Sequence, residues 1–214
     1  MKTIFQIKSV LLLTLFFGLA AVSTAQSTNQ NELDKRVQTF LDENRQNWHN
    51  LNVPFEDGQI LHELIIKKNY KSALEIGTST GHSTIWIAWA LSKTGGRLTT
   101  IELDAKRQKE AIKNLRAVGL SDVVDFKLGD AHQIVKELDG PFDFVFSDAD
   151  KDWYVQYFKD LNPKLQKGGC FTAHNVLQHM DGIRAYMDFV KKLPDYETTV
   201  NRSSSSGIAI SFKK

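Results

Sequence analysis

Five short polar segments each follow a run of apolar, β-forming residues in this sequence. Carboxylates, imidazoles, an amine and glycines gather there, and these groups bind small ligands and move protons. In an open parallel sheet the carboxyl ends of the strands meet in one crevice, where ligands bind. We therefore expect one site made of the segments Glu75–Ser83, Glu102, Gly129–His132, Ser147–Tyr154 and Ala173–Asn175.

The first of these segments contains two glycines four residues apart, Gly77 and Gly81. Glycine permits a tight turn and a close approach of backbone to a ligand. The G-x-x-x-G spacing differs from the dinucleotide G-x-G-x-x-G pattern, and no Gly-Lys-Ser/Thr follows as in a P-loop. A nicotinamide-dependent oxidoreductase is therefore disfavoured. The spacing favours a loop beside a nucleoside and an amino-acid group.

The next two segments supply acids for such a nucleoside. Glu102 stands 25 residues after Gly77, where an acid accepts hydrogen bonds from both ribose hydroxyls. Asp130 and its neighbours would lie near an adenine, although an Asp before a helix is also a common N-cap. The three strand ends together indicate a nucleoside site more strongly than any one of them.

The last two segments bring a carboxylate, an imidazole and an amide oxygen to adjacent strand ends, on Asp148, His174 and Asn175. Such a set can hold a divalent cation with open positions. The alternative is a hydrogen-bonded polar cluster without metal. Lys151 stands at a predicted helix start, where a cation is slightly unfavourable with the helix dipole, which favours a functional role.

Short strands alternate with helices through most of the chain, which predicts a parallel sheet covered by helices on both faces. The predicted strands are Ser72–Ile76, Arg97–Glu102, Val123–Leu128, Phe142–Ser147 and Gly169–Ala173. The predicted helices are Glu32–Trp48, Phe55–Lys68, Ser83–Leu91, Ala105–Ala117, Ala131–Leu138, Trp153–Leu165 and Asp181–Lys192. Two further strands, Tyr196–Val200 and Ile208–Phe212, form an antiparallel pair. The expected fold is an α/β, Rossmann-like sandwich with a mostly parallel seven-stranded sheet and a C-terminal antiparallel hairpin.

Four motifs, read in order, resemble those of the cation-dependent O-methyltransferases, the catechol and caffeoyl-CoA type. They are ALEIGTSTGHST, TTIELD, GDAH and FVFSDADKDWY. The resemblance is close over residues 50–175 and loose in the tail. It implies a class I methyltransferase fold, S-adenosylmethionine as cofactor, and methyl transfer to a hydroxyl of a small, aromatic vicinal-diol acceptor.

The resemblance also implies roles for individual residues. Glu75 would take the amino-acid end of the cofactor, Ser83 its carboxylate and Glu102 its ribose. Lys151 would be the general base, and Asp148, His174 and Asn175 the metal ligands. The implied cofactor-binding residues are Val53, Glu75, Gly77, Thr78, Gly81, Ser83, Glu102, Asp130, Ala131, His132 and Asp148.

The chain departs from the family at the end of the fifth strand, where the family has Asp-Asn and this sequence has His174-Asn175. An imidazole removes a negative charge and supplies a softer ligand, so Mn²⁺, Fe²⁺, Co²⁺ or Zn²⁺ is favoured over Mg²⁺. Loss of the metal is the alternative. The segment Val176–Met180 is also shorter than in the family, which predicts a more open or differently closed acceptor pocket.

Composition limits the other classes of function. The 214 residues are 42% hydrophobic and 24% charged, typical of a globular domain, and the formal charge is only +2. We expect no nucleic-acid partner, since no basic excess would drive binding by counterion release. A single cysteine, Cys170, excludes an intrachain disulfide and a cysteine-based zinc cluster.

The N-terminus has the order of a secretory signal peptide. Lys2 and Lys8 precede the apolar run Val10–Val22, and Ser23-Thr24-Ala25 supplies a cleavage site. We expect residues 1–25 to direct export to the periplasm or medium, leaving no stable membrane span. A mis-assigned start would instead make the protein cytoplasmic.

Export suggests an alternative function, because S-adenosylmethionine is made in the cytoplasm. The alternative is an exported binding protein of methyltransferase fold that has lost turnover. Residues 26–50 are expected to be a helical segment that covers the acceptor site or forms a homodimer contact, and residues 51–214 the methyltransferase domain.

Overall fold

A seven-stranded sheet organises the chain, which a computed structural model describes over residues 28–48 and 51–214. The predicted signal peptide, residues 1–25, lies outside the described residues. The strand order is β3-β2-β1-β4-β5-β7-β6, with β1 to β5 parallel and β7 antiparallel to both neighbours. The predicted fold class is confirmed. The strands are β1 Ser72–Ile76, β2 Arg97–Glu102, β3 Val124–Leu128, β4 Phe142–Ser147, β5 Leu165–His174, β6 Tyr196–Asn201 and β7 Ile208–Lys213.

Helices cover both faces of the sheet, because the central strands place apolar side chains alternately on each face. Helices α1 to α4 share one core with Phe144 and Phe146, and α5 to α7 share the other with Val145 and Phe171. Within the described ranges, every helix is too short or too polar to span a lipid bilayer. The helices are α1 28–43, α2 Phe55–Lys68, α3 His82–Thr94, α4 Ala105–Val118, α5 Ala131–Glu137, α6 Tyr154–Leu161 and α7 Asp181–Val190.

Two predicted boundaries are wrong around Pro163. The α6 helix ends at Leu161 rather than Leu165, because Pro163 lies in the 3-10 turn Asn162–Lys164 and lacks an amide proton for a continuing helix. The β5 strand begins at Leu165 rather than Gly169. After Leu165 the strand continues with Gln166, Lys167 and two glycines, so its apolar pattern is interrupted until Cys170. The α1 helix also ends at residue 43, followed by a turn, rather than at Trp48.

An aromatic block ties the N-terminal part of the chain to α3. The ring of Trp48 stacks on His82 at 4.6 Å between centroids, and Trp86 packs edge-on against Phe55. The indole N–H of Trp86 donates to Nε2 of His82 at 3.1 Å, and Nδ1 of His82 faces the carbonyl of Val53 at 2.9 Å. Because an indole only donates and a carbonyl only accepts, His82 must be neutral with its proton on Nδ1.

Burial lowers the pKa of His82 to about 4, although the Val53 carbonyl partly opposes the shift. A histidine whose folded-state pKa is depressed contributes stability that is present above its unfolded pKa, near 6.5. That stability is lost as the pH falls toward 4.

We therefore predict that His82→Gln changes the pH dependence of stability. Glutamine keeps a donor and an acceptor but does not titrate. The free energy of unfolding of the native chain, minus that of the variant, should fall by about 2 to 3 kcal/mol between pH 7.5 and 4.5. Urea denaturation at both pH values measures this difference. A difference that stays constant with pH would show that His82 is not buried as a neutral ring.

Candidate functional site

A cavity of about 280 Å³ opens at the carboxyl ends of the parallel strands. Four of the polar segments identified in the sequence contribute to its wall, those that follow β1, β2, β3 and β4. Seven of the predicted site residues line it, namely Gly77, Glu102, Asp130, Ala131, His132, Asp148 and Lys151. Leu51, Ser79, Leu103 and Arg107 also line the cavity, and the motifs did not single them out.

Glu102 is held in a fixed orientation at the end of β2. One carboxylate oxygen accepts from the amide of Ser79 at 2.7 Å, and the other accepts from the amide of Asp104 at 3.0 Å. Each carboxylate oxygen has further acceptor capacity after one such bond. Glu102 is therefore prepared to accept hydrogen bonds from neighbouring hydroxyls of a ligand in the cavity.

The glycine loop, residues 77–81 between β1 and α3, passes very close to the end of β4. Gly77 has a φ of +100°, a left-handed conformation, and a Cβ there would stand 2.8 Å from the carbonyl oxygen of Asp148. The amide of Asp148 donates to the carbonyl of Ile76 at 2.9 Å. Only a residue without a side chain lets the first and fourth strand ends approach in this way.

Five of the predicted cofactor residues lie behind the cavity wall. Glu75 is fully buried and accepts hydrogen bonds of 2.6 Å from the hydroxyls of Ser83, Thr84 and Thr100. Burial raises the pKa of Glu75 to about 7, although the three hydroxyls oppose the shift. The residues behind the wall are Val53, Glu75, Thr78, Gly81 and Ser83.

These five residues support the loop in this structure. The hydroxyl of Thr78 bonds that of Thr100 at 2.6 Å, the carbonyl of Val53 faces His82, and Gly81 caps α3 in a left-handed conformation. A Cβ on Gly81 would stand 3.2 Å from Ala111 of α4. The loop is thus held from beneath by hydroxyls and close backbone contacts.

The segment after β3 forms a flat wall. Asp130 caps α5 by accepting from the amide of His132 at 2.9 Å, which is the N-cap alternative, and it also lines the cavity. The imidazole of His132 stacks on the indole of Trp153 with centroids 3.7 Å apart and an angle of 13°. A planar pair of this kind offers a surface for a heteroaromatic ring.

A charged cluster, made of Asp57, Asp148, Lys151 and His174, occupies the ends of β4 and β5. The Nζ of Lys151 donates to Oδ1 of Asp148 at 2.6 Å, and Nδ1 of His174 lies 3.2 Å from the same oxygen. Nε2 of His174 lies 2.8 Å from Oδ2 of Asp57, an oxygen that also accepts from the hydroxyl of Ser204 at 2.7 Å. The side chains of His174 and Asp57 are 3% and 1% exposed, so this ion pair is almost dry.

The charged groups of the cluster shift one another's pKa values. Burial alone would lower the pKa of His174, but the carboxylates of Asp148 and Asp57 outweigh it and raise the pKa to about 9. Burial would raise the pKa of Asp148, but His174 and Lys151 hold it below its usual value. The carboxylates therefore favour the protonated form of His174, and the neighbouring cations favour the ionised form of Asp148.

Asp148 and His174, two of the three predicted metal ligands, lie side by side. Nε2 of His174 faces a carboxylate oxygen of Asp57 and donates to it, whereas Nδ1 is buried without a hydrogen-bond partner within the described residues, 3.2 Å from Oδ1 of Asp148. Asn175, the third predicted ligand, follows with a φ of 60°, and its backbone carbonyl accepts from the amide of Gln178. Across residues 28–48 and 51–214, no group of three or more His, Cys, Asp or Glu side chains is arranged to hold a metal ion.

Asp57 and Ser204 belong to the site, and the motifs did not identify them. Asp57 lies on the same face of α2 as Leu61 and Ile65, at intervals of four residues, and all three are buried. An acid on the apolar face of an amphipathic helix indicates that its side chain has a buried partner. The sequence therefore contained a signal for Asp57. Ser204 lies in a serine run for which the sequence predicted only a turn, so it gave no comparable signal.

We predict that Gly77→Ala destabilises the protein more than Gly95→Ala. Both glycines have positive φ, so alanine costs about 1 to 2 kcal/mol at either position. A Cβ at Gly95 meets nothing within 4 Å, whereas one at Gly77 meets the Asp148 backbone. This clash should cost about 1 to 3 kcal/mol more. Denaturant unfolding of both variants measures the difference, and equal losses would argue against the close approach of β1 and β4.

The chain is similar to proteins of one enzyme family. Residues 23–192 match the O-methyltransferase family. A catechol O-methyltransferase from Niastella koreensis is 39% identical over 132 residues, which are 60% of this chain and 59% of that protein. Caffeoyl-CoA O-methyltransferase 1 from Eucalyptus globulus is 30% identical over 162 residues, 68% of this chain and 65% of that protein. The chain thus spans about three fifths of the length of these curated relatives.

Solved structures agree with this assignment. An O-methyltransferase from Bacillus cereus, crystallised in complex with SAH, superposes with a TM-score of 0.72 at 27% identity. The match covers 85% of this chain and 90% of that one. The strand order of the sheet, the cavity at the carboxyl ends of its strands and the sequence match all indicate the same family. The chain belongs to the O-methyltransferase family.

Proposed function

We propose that this protein transfers a methyl group from S-adenosylmethionine to a hydroxyl of a small aromatic acceptor. One observation carries the proposal. Glu102, with its fixed carboxylate, and Lys151, the candidate base, line the same cavity of about 280 Å³. A nucleoside grip and a proton acceptor in one cavity suit a transfer reaction between two small molecules.

The cofactor would lie along the ends of β1, β2 and β3. Glu102 would accept from both ribose hydroxyls, and the flat pair of His132 and Trp153 would border the adenine. Gly77 leaves room for the amino-acid end beside the backbone of Asp148. The B. cereus relative, crystallised in complex with SAH, supports a cofactor of this class.

Lys151 would act where the methyl group is transferred. The acceptor oxygen attacks the methyl carbon, the carbon–sulfur bond breaks, and the sulfonium becomes a neutral thioether. Lys151 first loses a proton to solvent, and its neutral Nζ then takes the hydroxyl proton. Asp148 lies 2.6 Å from that nitrogen and stabilises the ammonium that forms again. No step is assigned to a metal ion.

The acceptor proposed is a vicinal diol on an aromatic ring. The N. koreensis relative is named a catechol O-methyltransferase, which supports this class. The enzyme mainly aligns the oxygen, the methyl carbon and the sulfur.

Calorimetric titration tests the cofactor site. We expect S-adenosylmethionine to bind residues 26–214 with a dissociation constant of about 1 to 100 µM. Glu102→Gln should weaken binding about 10-fold to 100-fold, because it removes a charged acceptor and sets an amide against the Ser79 N–H. The control, Asp104→Asn, keeps a good N-cap on α4 and should bind normally. No heat at millimolar cofactor would refute the proposed function.

Replacing the proposed base tests the chemistry. Lys151→Met should reduce turnover of a catechol about 100-fold or more, because it removes the proton acceptor, and it should leave S-adenosylmethionine affinity within about 3-fold of normal. The matched control, Lys167→Met, changes an exposed lysine near the start of β5 and should keep full turnover. Near-normal turnover in Lys151→Met would exclude Lys151 as base. Cofactor binding by the native chain without transfer to any catechol would favour a binding protein.

A further inference from the structure

A second cavity, of about 480 Å³, opens between the end of α1 and helix α4. It reaches the glycine loop at Thr80, and its volume suits a small molecule. We propose that this α1–α4 cavity binds a free amino acid with an apolar side chain, its carboxylate on Arg107 and its ammonium on Glu110. Such a site would be separate from the cofactor site, because among the described residues Arg107 alone lines both cavities.

Three polar side chains of α4 form one wall of this cavity. Arg107, Glu110 and Asn114 are spaced three and four residues apart, so they share one face of the helix, and all three line the cavity. Ala111 and Leu115 belong instead to the buried side of α4. The helical spacing thus separates a polar wall from the apolar face that packs in the core.

A cation and an anion stand side by side on that wall without pairing. Arg107 and Glu110 are one helical turn apart, yet Glu110 accepts from Lys113, whose side chain is 74% exposed, at 3.2 Å. Such an exposed pair is weak. The carboxylate of Asp104 accepts from the backbone amide of Arg107 at 3.1 Å, and the guanidinium has no hydrogen-bond or ion-pair partner within the described residues.

An α-amino acid matches this pair of charges. It carries an ammonium and a carboxylate on the same carbon, so one small molecule satisfies both side chains at once. A guanidinium binds a carboxylate through two parallel hydrogen bonds, and a carboxylate such as Glu110 accepts from an ammonium. A neutral sugar would leave both charges of the wall unpaired, so it fits the cavity less well.

The opposite wall is aromatic and lacks a hydrogen-bond acceptor. The rings of Phe40 and Trp48 meet edge-on, with centroids 6.2 Å apart, and offer apolar surface to a side chain. The indole N–H of Trp48 is buried and has no acceptor in the part of the chain that the structure describes. Buried donors are normally paired, so this N–H is a second sign of a missing ligand group. The ligand carboxylate would supply the acceptor.

The glycine loop forms a fixed part of the cavity. Asn114 donates to the carbonyl of Thr80 at 3.0 Å, and the amide of Asn52 donates to the hydroxyl of Thr80 at 2.9 Å. Thr80 lines the α1–α4 cavity and not the cavity at the strand ends. The loop therefore separates the two cavities, so that an amino acid and the cofactor can bind at the same time.

Calorimetry with L-phenylalanine tests the proposal on the native chain. L-Phenylalanine should bind with a dissociation constant of about 0.1 to 1 mM, and its affinity should be the same with SAH at saturation. L-Phenylalanine methyl ester lacks the carboxylate, and N-acetyl-L-phenylalanine lacks the ammonium. Each should bind at least about 10-fold more weakly, because each leaves one charged side chain of the wall unpaired.

Two variants of α4 show whether the charged wall is the cause. Glu110→Gln should weaken L-phenylalanine binding about 10-fold or more, and it should leave SAH affinity unchanged, because Glu110 does not line the cavity at the strand ends. The matched control, Lys113→Gln, removes the ion-pair partner of Glu110 and should keep L-phenylalanine binding. A purely structural role for Glu110 would lower the unfolding midpoint without separating the two ligands.

Four outcomes would overturn the proposal. They are no heat with L-phenylalanine at about 10 mM, equal binding of the ester or the acetyl derivative, normal binding by Glu110→Gln, and competition between L-phenylalanine and SAH. Competition would place the amino acid in the cofactor cavity. If Glu110→Gln does not fold, the two derivatives still decide on the native chain. A chain that binds SAH but no L-phenylalanine contradicts only this inference, whereas one that binds L-phenylalanine but no SAH contradicts only the proposed function.

Discussion

The close approach of the β1 and β4 strand ends is the constraint on which the site depends. The amide of Asp148 bonds the carbonyl of Ile76, and the carbonyl of Asp148 lies where a side chain on Gly77 would stand. The glycine loop and the charged cluster therefore share one backbone contact. Because the two strands are paired and parallel, any shift of the loop also shifts Asp148, so the two halves of the cavity keep a fixed relation.

Glu75 and Asp148, two acids at the carboxyl ends of the parallel strands, have different surroundings. Glu75 is surrounded by three hydroxyls and no cation, and its pKa rises to about 7. The side chain of Asp148 is 10% exposed and faces Lys151 and His174, and the pKa of its carboxyl falls. Neutral donors leave a carboxyl close to its protonated form, whereas cations keep it ionised. Of these two acids, it is therefore Asp148, at the end of β4, that is kept ionised.

Helix α2 connects the two sides of the site. Its first residues join the aromatic block around His82, which also holds the carbonyl of Val53. Two residues after Phe55, Asp57 points the other way, to His174. A single helix thus fixes both the segment before the glycine loop and His174 at the end of β5. Under the proposed function, these are the cofactor side and the acceptor side.

The sequence by itself determined the fold class and most of the cavity wall. Alternating strands and helices predict a parallel sheet, and the ends of parallel strands must meet. Gly77, Glu102, His132, Asp148 and Lys151 could therefore be placed in one cavity from their positions after strands. This reasoning uses only local pattern and the geometry of a sheet.

The tertiary structure decided what those residues contact. Glu75 and Ser83 follow the same pattern as the wall residues, yet they bond each other behind it. The partner of His174 is Asp57, 117 residues away on a helix before the first strand. No spacing rule predicts that pair, because the packing of α2 against the sheet brings it together. His174, which the sequence motif suggests as a metal ligand, lies in the folded chain between the carboxylates of Asp57 and Asp148.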